Sequence, residues 1–158
     1  MIVPTVETPQ QVEKLIEWSK YPPMGKRGFG IARAQGYGHS FEEYTSNWNE
    51  TSILVIQIES VQAVDNIEKL LSFNEVDAVM VGPYDISGSL DVPGQINHPR
   101  VQEAGQVVVN ACRKFGKACG TQDIEPTHES IGKALEMGYT FVVLASDVFI
   151  LWKWGERM

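Results

Sequence analysis

Two near-continuous apolar runs constrain the fold of this chain more than any other feature of its sequence. They are SILVIQI (residues 52–58) and VDAVMVG (residues 76–82), and neither shows a regular alternation of apolar and polar residues. A strand with one face in water alternates, whereas a strand of a parallel sheet covered on both faces is apolar nearly throughout. The two runs therefore predict a parallel sheet with other structure packed on both sides.

Five predicted strands alternate with segments whose apolar residues recur at helical spacing. The strands are expected at 2–7, 52–58, 76–82, 117–121 and 140–146, and the helices at 9–20, 41–48, 60–71, 99–115, 125–137 and 147–157. Regular β/α alternation indicates a parallel α/β fold within one domain, 1–158. Three architectures agree with it: a (β/α) barrel, a flavodoxin-like open sheet, or part of a barrel.

Composition narrows the classes of function. The net charge is −7 without a cluster of Lys or Arg, which disfavours nucleic-acid binding. No stretch approaches the roughly 20 apolar residues of a membrane span, and the N-terminus lacks the features of a signal peptide. The two cysteines, Cys112 and Cys119, form no C-x-x-C motif and fit a reducing compartment. We therefore expect a cytoplasmic protein with no membrane or nucleic-acid partner.

A long segment without a strong periodic pattern covers residues 22–40, from YPPMGKRGFG onward. Loops of this length are uncommon inside compact domains unless they serve a function or an interface. We therefore predict that 22–40 is a functional or interface loop. Arg27 and Arg33 in this loop are expected to pin it or to contact another subunit rather than to catalyse.

Carboxylates follow both apolar runs. Glu59 ends the first, and Asp85 comes just after the second. The functional face of a parallel α/β fold is the carboxyl edge of its strands, and neighbouring strands lie about 4.8 Å apart. Two ionised acids at that edge would repel each other unless a divalent cation such as Mg²⁺ lay between them. The structural alternative is that Glu59 and Asp85 each cap the helix that follows.

Two neighbouring features favour the metal hypothesis. Gln57 is a polar residue in an apolar strand and shares a strand face with Glu59. Gly82-Pro83 lets the backbone approach a ligand and presents free N–H groups around residues 84 and 85. A metal here would suit a 2-oxo acid, whose carboxylate and ketone oxygens can chelate the ion together.

The segments IQIES, VDAVMVGPYDISGSL and VPGQINHP resemble the metal-dependent pyruvate aldolases of the 4-hydroxy-2-oxoheptanedioate aldolase family, which are relatives of citrate lyase β chains. The similarity covers essentially the whole chain, because IVPTVETPQQVE, YPPMGKRGFGIARAQGYG and FVVLASDVFIL follow the same family in the same order. The resemblance implies the later part, about strands four to eight, of a (β/α)₈ TIM barrel of the phosphoenolpyruvate/pyruvate-binding type.

The same resemblance implies roles for particular residues. Glu59 and Asp85 would bind Mg²⁺ or Mn²⁺, with Co²⁺ as a further candidate, and Gln57 would contact the substrate. The backbone at Gly82, Pro83 and Tyr84 would hold the pyruvate carboxylate. Many family members have a small residue where this chain has Tyr84, which leaves the shape of the pocket open.

The family's general-base His and its enolate-stabilising Arg have no counterpart in this chain. His98 and His128 lie at helix starts and are expected to be solvated, and His39, in the long loop, is the only histidine left as a candidate to approach the site. The expected site is therefore the metal and pyruvate half, without the base.

The resemblance implies aldol cleavage or condensation of a 4-hydroxy-2-oxo acid, through a metal-bound pyruvate enolate, in the breakdown of aromatic or sugar acids. Its partners would be pyruvate, an aldehyde and further copies of the chain in a homo-oligomer. Two alternatives stay open: a citrate-lyase-like or malyl-CoA-type C–C lyase, and a non-catalytic binding module or fragment.

Five parallel strands cannot close an eight-stranded barrel. The predicted first and last strands would then be apolar edges that invite pairing with another chain. We therefore expect either part of a longer enzyme or a barrel completed by a second polypeptide.

Overall fold

A computed structural model describes residues 1–156 of the chain. The strands are β1 (Ile2–Val3), β2 (Val55–Ile58), β3 (Ala78–Val81), β4 (Ala118–Asp123) and β5 (Phe141–Leu144). The α-helices are α1 (Pro9–Ser19), α2 (Phe41–Thr51), α3 (Val61–Asp65), α4 (Ile67–Leu71), α5 (Pro83–Ser89), α6 (Pro99–Phe115), α7 (His128–Glu136) and α8 (Asp147–Gly155). The last predicted helix reached residue 157, which lies outside the described range.

The five strands form one parallel sheet in the order β1-β2-β3-β4-β5. Each strand pairs with its neighbour in sequence, as consecutive strands of a (β/α) barrel do. A flavodoxin-like sheet would instead have the order 2-1-3-4-5. The structure is therefore a partial (β/α) barrel, which confirms the predicted fold class and excludes the flavodoxin-like alternative.

Both faces of the central strands are covered, as their apolar sequences predicted. The outer face packs against α3, α4 and α6, and it contributes a row of buried side chains: Leu54, Ile56, Ile58, Val79, Val81 and Cys119. The inner face carries a smaller cluster of Val55, Ala78 and Met80, against which Phe141 packs. The alternation of the two sets along β2 places every second residue, including Gln57, on the inner face.

β1 is shorter than the predicted strand 2–7 and pairs only at Ile2 and Val3. Pro4 follows directly and has no N–H to donate to the ladder, so pairing stops there. Thr5 then adopts a left-handed backbone with φ of 54°, and Val6 enters the main core. Thr8 caps α1 through a reciprocal capping box with Gln11.

Other predicted helix limits need correction. The expected helix 60–71 is divided at Asn66 into α3 and α4. α7 begins at His128 rather than at residue 125, because the Thr127 side chain accepts the Ser130 N–H and sets the start. Gly138 follows α7 with φ of 101°, the left-handed conformation that ends many helices.

The segment 22–40 is not wholly irregular, because a 3₁₀ helix covers Arg33–Gly38. Arg27 fixes its first half: the guanidinium carbon lies 3.9 Å from the centre of the Trp48 ring, and Nη2 donates to the Tyr44 hydroxyl at 3.2 Å. Lys20 is buried beside it, and its ammonium group donates to the carbonyl oxygens of Asn49 and Ser52 at the end of α2. The half-buried Arg27 therefore docks the loop onto α2, and the buried Lys20 joins the end of α1 to the end of α2.

Across residues 1–156, no helix has the length and apolar character needed to cross a membrane.

Candidate functional site

Gln57 and Glu59 lie side by side where β2 ends. Both are half-buried, and Gln57 Nε2 donates to Glu59 Oε1 at 3.1 Å. The second carboxylate oxygen, Oε2, accepts the backbone N–H of Thr5 at 2.8 Å. Each oxygen of Glu59 therefore has one protein donor, and its other lone pairs are left for a further ligand.

Gly82 forms a cradle for this carboxylate at the end of β3. A Cβ atom at that position would lie 2.8 Å from Cγ and 3.2 Å from Oε1 of Glu59. Such contacts are shorter than the roughly 3.5–4.0 Å at which carbon atoms pack. The glycine is therefore required by the place that the Glu59 side chain occupies.

Asp85 lies in the first turn of α5 and is exposed. It has no hydrogen bond or ion pair to another side chain in the part of the chain that the structure describes. Tyr84 is about half exposed, and its carbonyl oxygen accepts the hydroxyl of the fully buried Ser87 at 2.5 Å. Ser87 Oγ also accepts the Gly94 N–H at 2.9 Å, which holds the loop after α5 against the start of that helix.

The capping roles considered for the two carboxylates are wrong. Ser60 is the N-cap of α3, and its hydroxyl oxygen accepts the Ala63 N–H at 3.2 Å. Gly82 is the N-cap of α5, so Asp85 is already inside the helix. Neither Glu59 nor Asp85 is therefore the N-cap of a helix.

Carboxylate oxygens are the ligands that hard divalent cations prefer. Glu59 and Asp85 follow consecutive strands of the sheet, and Gly82 leaves space for the Glu59 side chain. Residues 1–156 contain no group of three or more His, Cys, Asp or Glu placed to hold a metal ion. Two protein carboxylates with water and substrate in the other positions are the pattern in which Mg²⁺ is commonly bound.

Within residues 1–156, none of the three histidines is hydrogen-bonded to Glu59 or Asp85. His98 caps α6, since its Nδ1 accepts the Arg100 N–H at 3.3 Å. His39 and His128 are exposed, at the end of the 3₁₀ helix and at the start of α7. Arg27 is held among aromatic rings, as described above. The expected absence of a general base from this site therefore stays a prediction.

The sequence did not reveal the contribution of Thr5. A left-handed Thr gives no signal in the sequence, because non-glycine residues rarely adopt positive φ. The only available indication was Pro4, which ends the ladder and leaves the next N–H free for another acceptor.

Comparison with known proteins places the chain in a family of aldolases and citrate lyases. Residues 1–153 match the family model described as HpcH/HpaI aldolase/citrate lyase. The chain is 34% identical over 152 residues to a 2-keto-3-deoxy-L-rhamnonate aldolase of Salmonella dublin. That match covers 95% of this chain and 56% of the relative, so the chain spans little more than half the length of the curated relatives it matches.

Solved structures agree with the fold. An HpcH/HpaI aldolase/citrate lyase family protein from Burkholderia cenocepacia J2315 superposes with a TM-score of 0.91 at 28% identity, covering 99% of this chain and 62% of that one. The citrate lyase β subunit of M. tuberculosis, complexed with oxaloacetate and magnesium, has a TM-score of 0.56 at 14% identity, covering 92% and 55%. At that identity the second likeness supports the fold alone.

Proposed function

The chain belongs to the HpcH/HpaI aldolase/citrate lyase family, and we propose that it carries the metal- and pyruvate-binding half of a class II aldolase site. Family members are C–C lyases named as aldolases and citrate lyases. The proposed reaction is the reversible cleavage of a 4-hydroxy-2-oxo acid to pyruvate and an aldehyde. The observation that carries the proposal is the Gln57–Glu59 pair at the end of β2, seated against Gly82.

Each residue has a separate task in this proposal. Glu59 and Asp85 would hold the divalent ion, with Mg²⁺ and Mn²⁺ as the first candidates and Co²⁺ as a further one. Such an ion acts as a Lewis acid that polarises a ketone and favours loss of a neighbouring proton. Gln57 retains a second amide hydrogen that can donate to a substrate oxygen. The backbone at Gly82, Pro83 and Tyr84 would face the pyruvate carboxylate.

A base for proton transfer at the pyruvate methyl carbon is not evident among the described residues. In this proposal a group from outside the site of Gln57, Glu59 and Asp85 transfers that proton. We propose that catalysis belongs to a larger assembly, whereas metal and pyruvate binding belong to this chain. The free, buried thiols of Cys112 and Cys119 accord with a reducing cytoplasmic setting for that assembly.

Helix α8 supports assembly into a homo-oligomer. Five large apolar side chains on this nine-residue helix are each more than half exposed: Val148, Ile150, Leu151, Trp152 and Trp154. Exposed apolar surface of this kind usually marks a protein contact site. Leu151→Glu should therefore lower the mass measured by light scattering after size-exclusion chromatography. Leu135→Glu changes a single exposed leucine on α7 and should leave the mass unchanged; equal behaviour of the two variants would contradict a role for α8.

Calorimetric titration with Mn²⁺ tests the metal assignment. The wild-type chain should bind one ion, and Glu59→Ala and Asp85→Ala should each abolish that binding. Asp65→Ala removes an exposed carboxylate from α3 and serves as the matched control. Unchanged affinity in the first two variants would remove the assignment.

The rival functions separate in the same experiment when pyruvate or oxalate follows the metal. Binding of metal and oxalate together with retro-aldol turnover supports the aldolase. Binding without turnover in the complete assembly favours a non-catalytic module. Turnover only with a CoA thioester substrate favours the malyl-CoA type of lyase.

A further inference from the structure

We propose that Thr5 is a positioning residue for the metal ligand Glu59, and that it acts through its backbone N–H rather than its side chain. This inference rests on the proposed function, because it takes Glu59 to be a metal ligand. The contact itself is the hydrogen bond of 2.8 Å from the Thr5 N–H to Glu59 Oε2, between residues 54 positions apart in sequence.

The backbone at Thr5 is held in a conformation that threonine disfavours. Its φ of 54° lies in the left-handed region, and a β-branched residue there is a genuine outlier. Such strain persists only where the surrounding structure determines it, and it concentrates at functional sites. Here the left-handed φ turns the chain that follows Thr5 toward α1, while the Thr5 N–H remains bonded to Glu59 just after β2.

The turn after Thr5 is fixed by side chains on both sides. Gln11 Nε2 donates to the Thr5 carbonyl oxygen at 3.4 Å, and Gln11 Oε1 accepts the Glu7 N–H at 2.8 Å. From the β2 side, the Ser60 hydroxyl donates to the Glu7 carboxylate at 2.5 Å, and Asn66 Nδ2 donates to the Glu7 carbonyl oxygen at 3.0 Å. The position of the Thr5 N–H is therefore set by α1 and by the segment that begins with Glu59.

The result is a carboxylate held at both oxygens. Gln57 binds Oε1 and Thr5 binds Oε2, so the plane of the Glu59 carboxylate is defined before any ligand arrives. Donors to a metal-bound carboxylate orient it, and their loss typically weakens metal affinity by about 10–100-fold. The Thr5 hydroxyl makes no hydrogen bond to another residue in the described range, so Thr5 orients the Glu59 carboxylate through its backbone N–H alone.

The decisive variant replaces Thr5 by its α-hydroxy acid, introduced by nonsense suppression, so that an ester oxygen stands in place of the N–H. Its matched control is Thr5→Gly, which keeps the N–H and adopts positive φ without strain. Far-UV circular dichroism establishes that both proteins fold. We expect the ester to bind Mn²⁺ at least about tenfold more weakly than the wild type, and Thr5→Gly to bind it as the wild type does.

Amide hydrogen exchange gives a readout that needs no metal. The Thr5 amide of the metal-free wild type should be protected, and Glu59→Ala should abolish that protection. An unprotected Thr5 amide, or an ester with wild-type affinity for Mn²⁺, would overturn the role of Thr5 while leaving the metal assignment standing. Failure of the wild type to bind Mn²⁺ would overturn the metal assignment and the role of Thr5 with it.

Discussion

Substitution of Gly82 by alanine should separate metal binding from folding. The added methyl carbon would stand 2.8 Å from Glu59 Cγ, so the side chain must retreat by about 0.7 Å or more to reach ordinary packing distance. Distances at metal sites tolerate changes of only about 0.2 Å. The φ of −103° at Gly82 is accessible to alanine, so the backbone itself need not change.

The expected magnitudes follow from that displacement. Overpacking of this kind typically costs about 1–3 kcal/mol, and the lower end applies because Glu59 is only half-buried. Metal affinity should fall by about 10–100-fold, since a ligand is moved away from both of its hydrogen-bond donors. Urea unfolding measures the first quantity, and calorimetric titration with Mn²⁺ measures the second.

Gly88→Ala is the matched control, because it lies in the same short helix and its added methyl group meets nothing within 4 Å. It should bind Mn²⁺ normally and gain up to about 1 kcal/mol in unfolding free energy. If Gly82→Ala folds and binds Mn²⁺ as tightly as the wild type, then the ion does not depend on the position that Glu59 occupies here. That result would refute the reasoning.

Two further predictions concern stability. Gly120→Ala should lower the unfolding free energy by about 2–3 kcal/mol in urea, because its methyl group would collide with the ring of Phe141; adding Phe141→Ala should recover part of that loss, and strict additivity of the two changes would argue against the contact. Hydrogen bonds from Lys14, the larger cause, and from Lys26 lower the pKa of Glu17 from 4.5 to about 2. Ionised Glu17 therefore stabilises the fold above pH 4.5, and this stabilisation is lost as the pH falls toward 2. Glu17→Gln should therefore show a shallower loss of thermal stability over that interval, and a curve parallel to the wild type would contradict the assignment.

The sheet could be predicted because burial on both faces leaves a direct mark on sequence. The runs 52–58 and 76–82 contain β2 and β3, and their outer and inner residues form two separate clusters. Helix starts marked by Thr8 and Ser60 were also predictable, since a hydroxyl at the N-cap meets a local need of the following turn.

Features that depend on contacts between residues far apart in sequence could not be predicted. The break at Asn66 belongs to this group, because its side chain donates to the carbonyl oxygen of Glu7, 59 residues away. The short β1 follows from Pro4, but the left-handed Thr5 depends on partners on α1 and β2. Strand periodicity foresaw that Gln57 and Glu59 share a face, and the structure adds the hydrogen bond between them, whereas the metal role of Glu59 and Asp85 stays a prediction.

The most direct test of the central claim is anomalous diffraction at the manganese edge from crystals of the chain grown with Mn²⁺. The account predicts one strong peak within metal–oxygen bonding distance, about 2.0–2.6 Å, of a carboxylate oxygen from each of Glu59 and Asp85. A peak bound elsewhere, or no peak at saturating Mn²⁺, would contradict it.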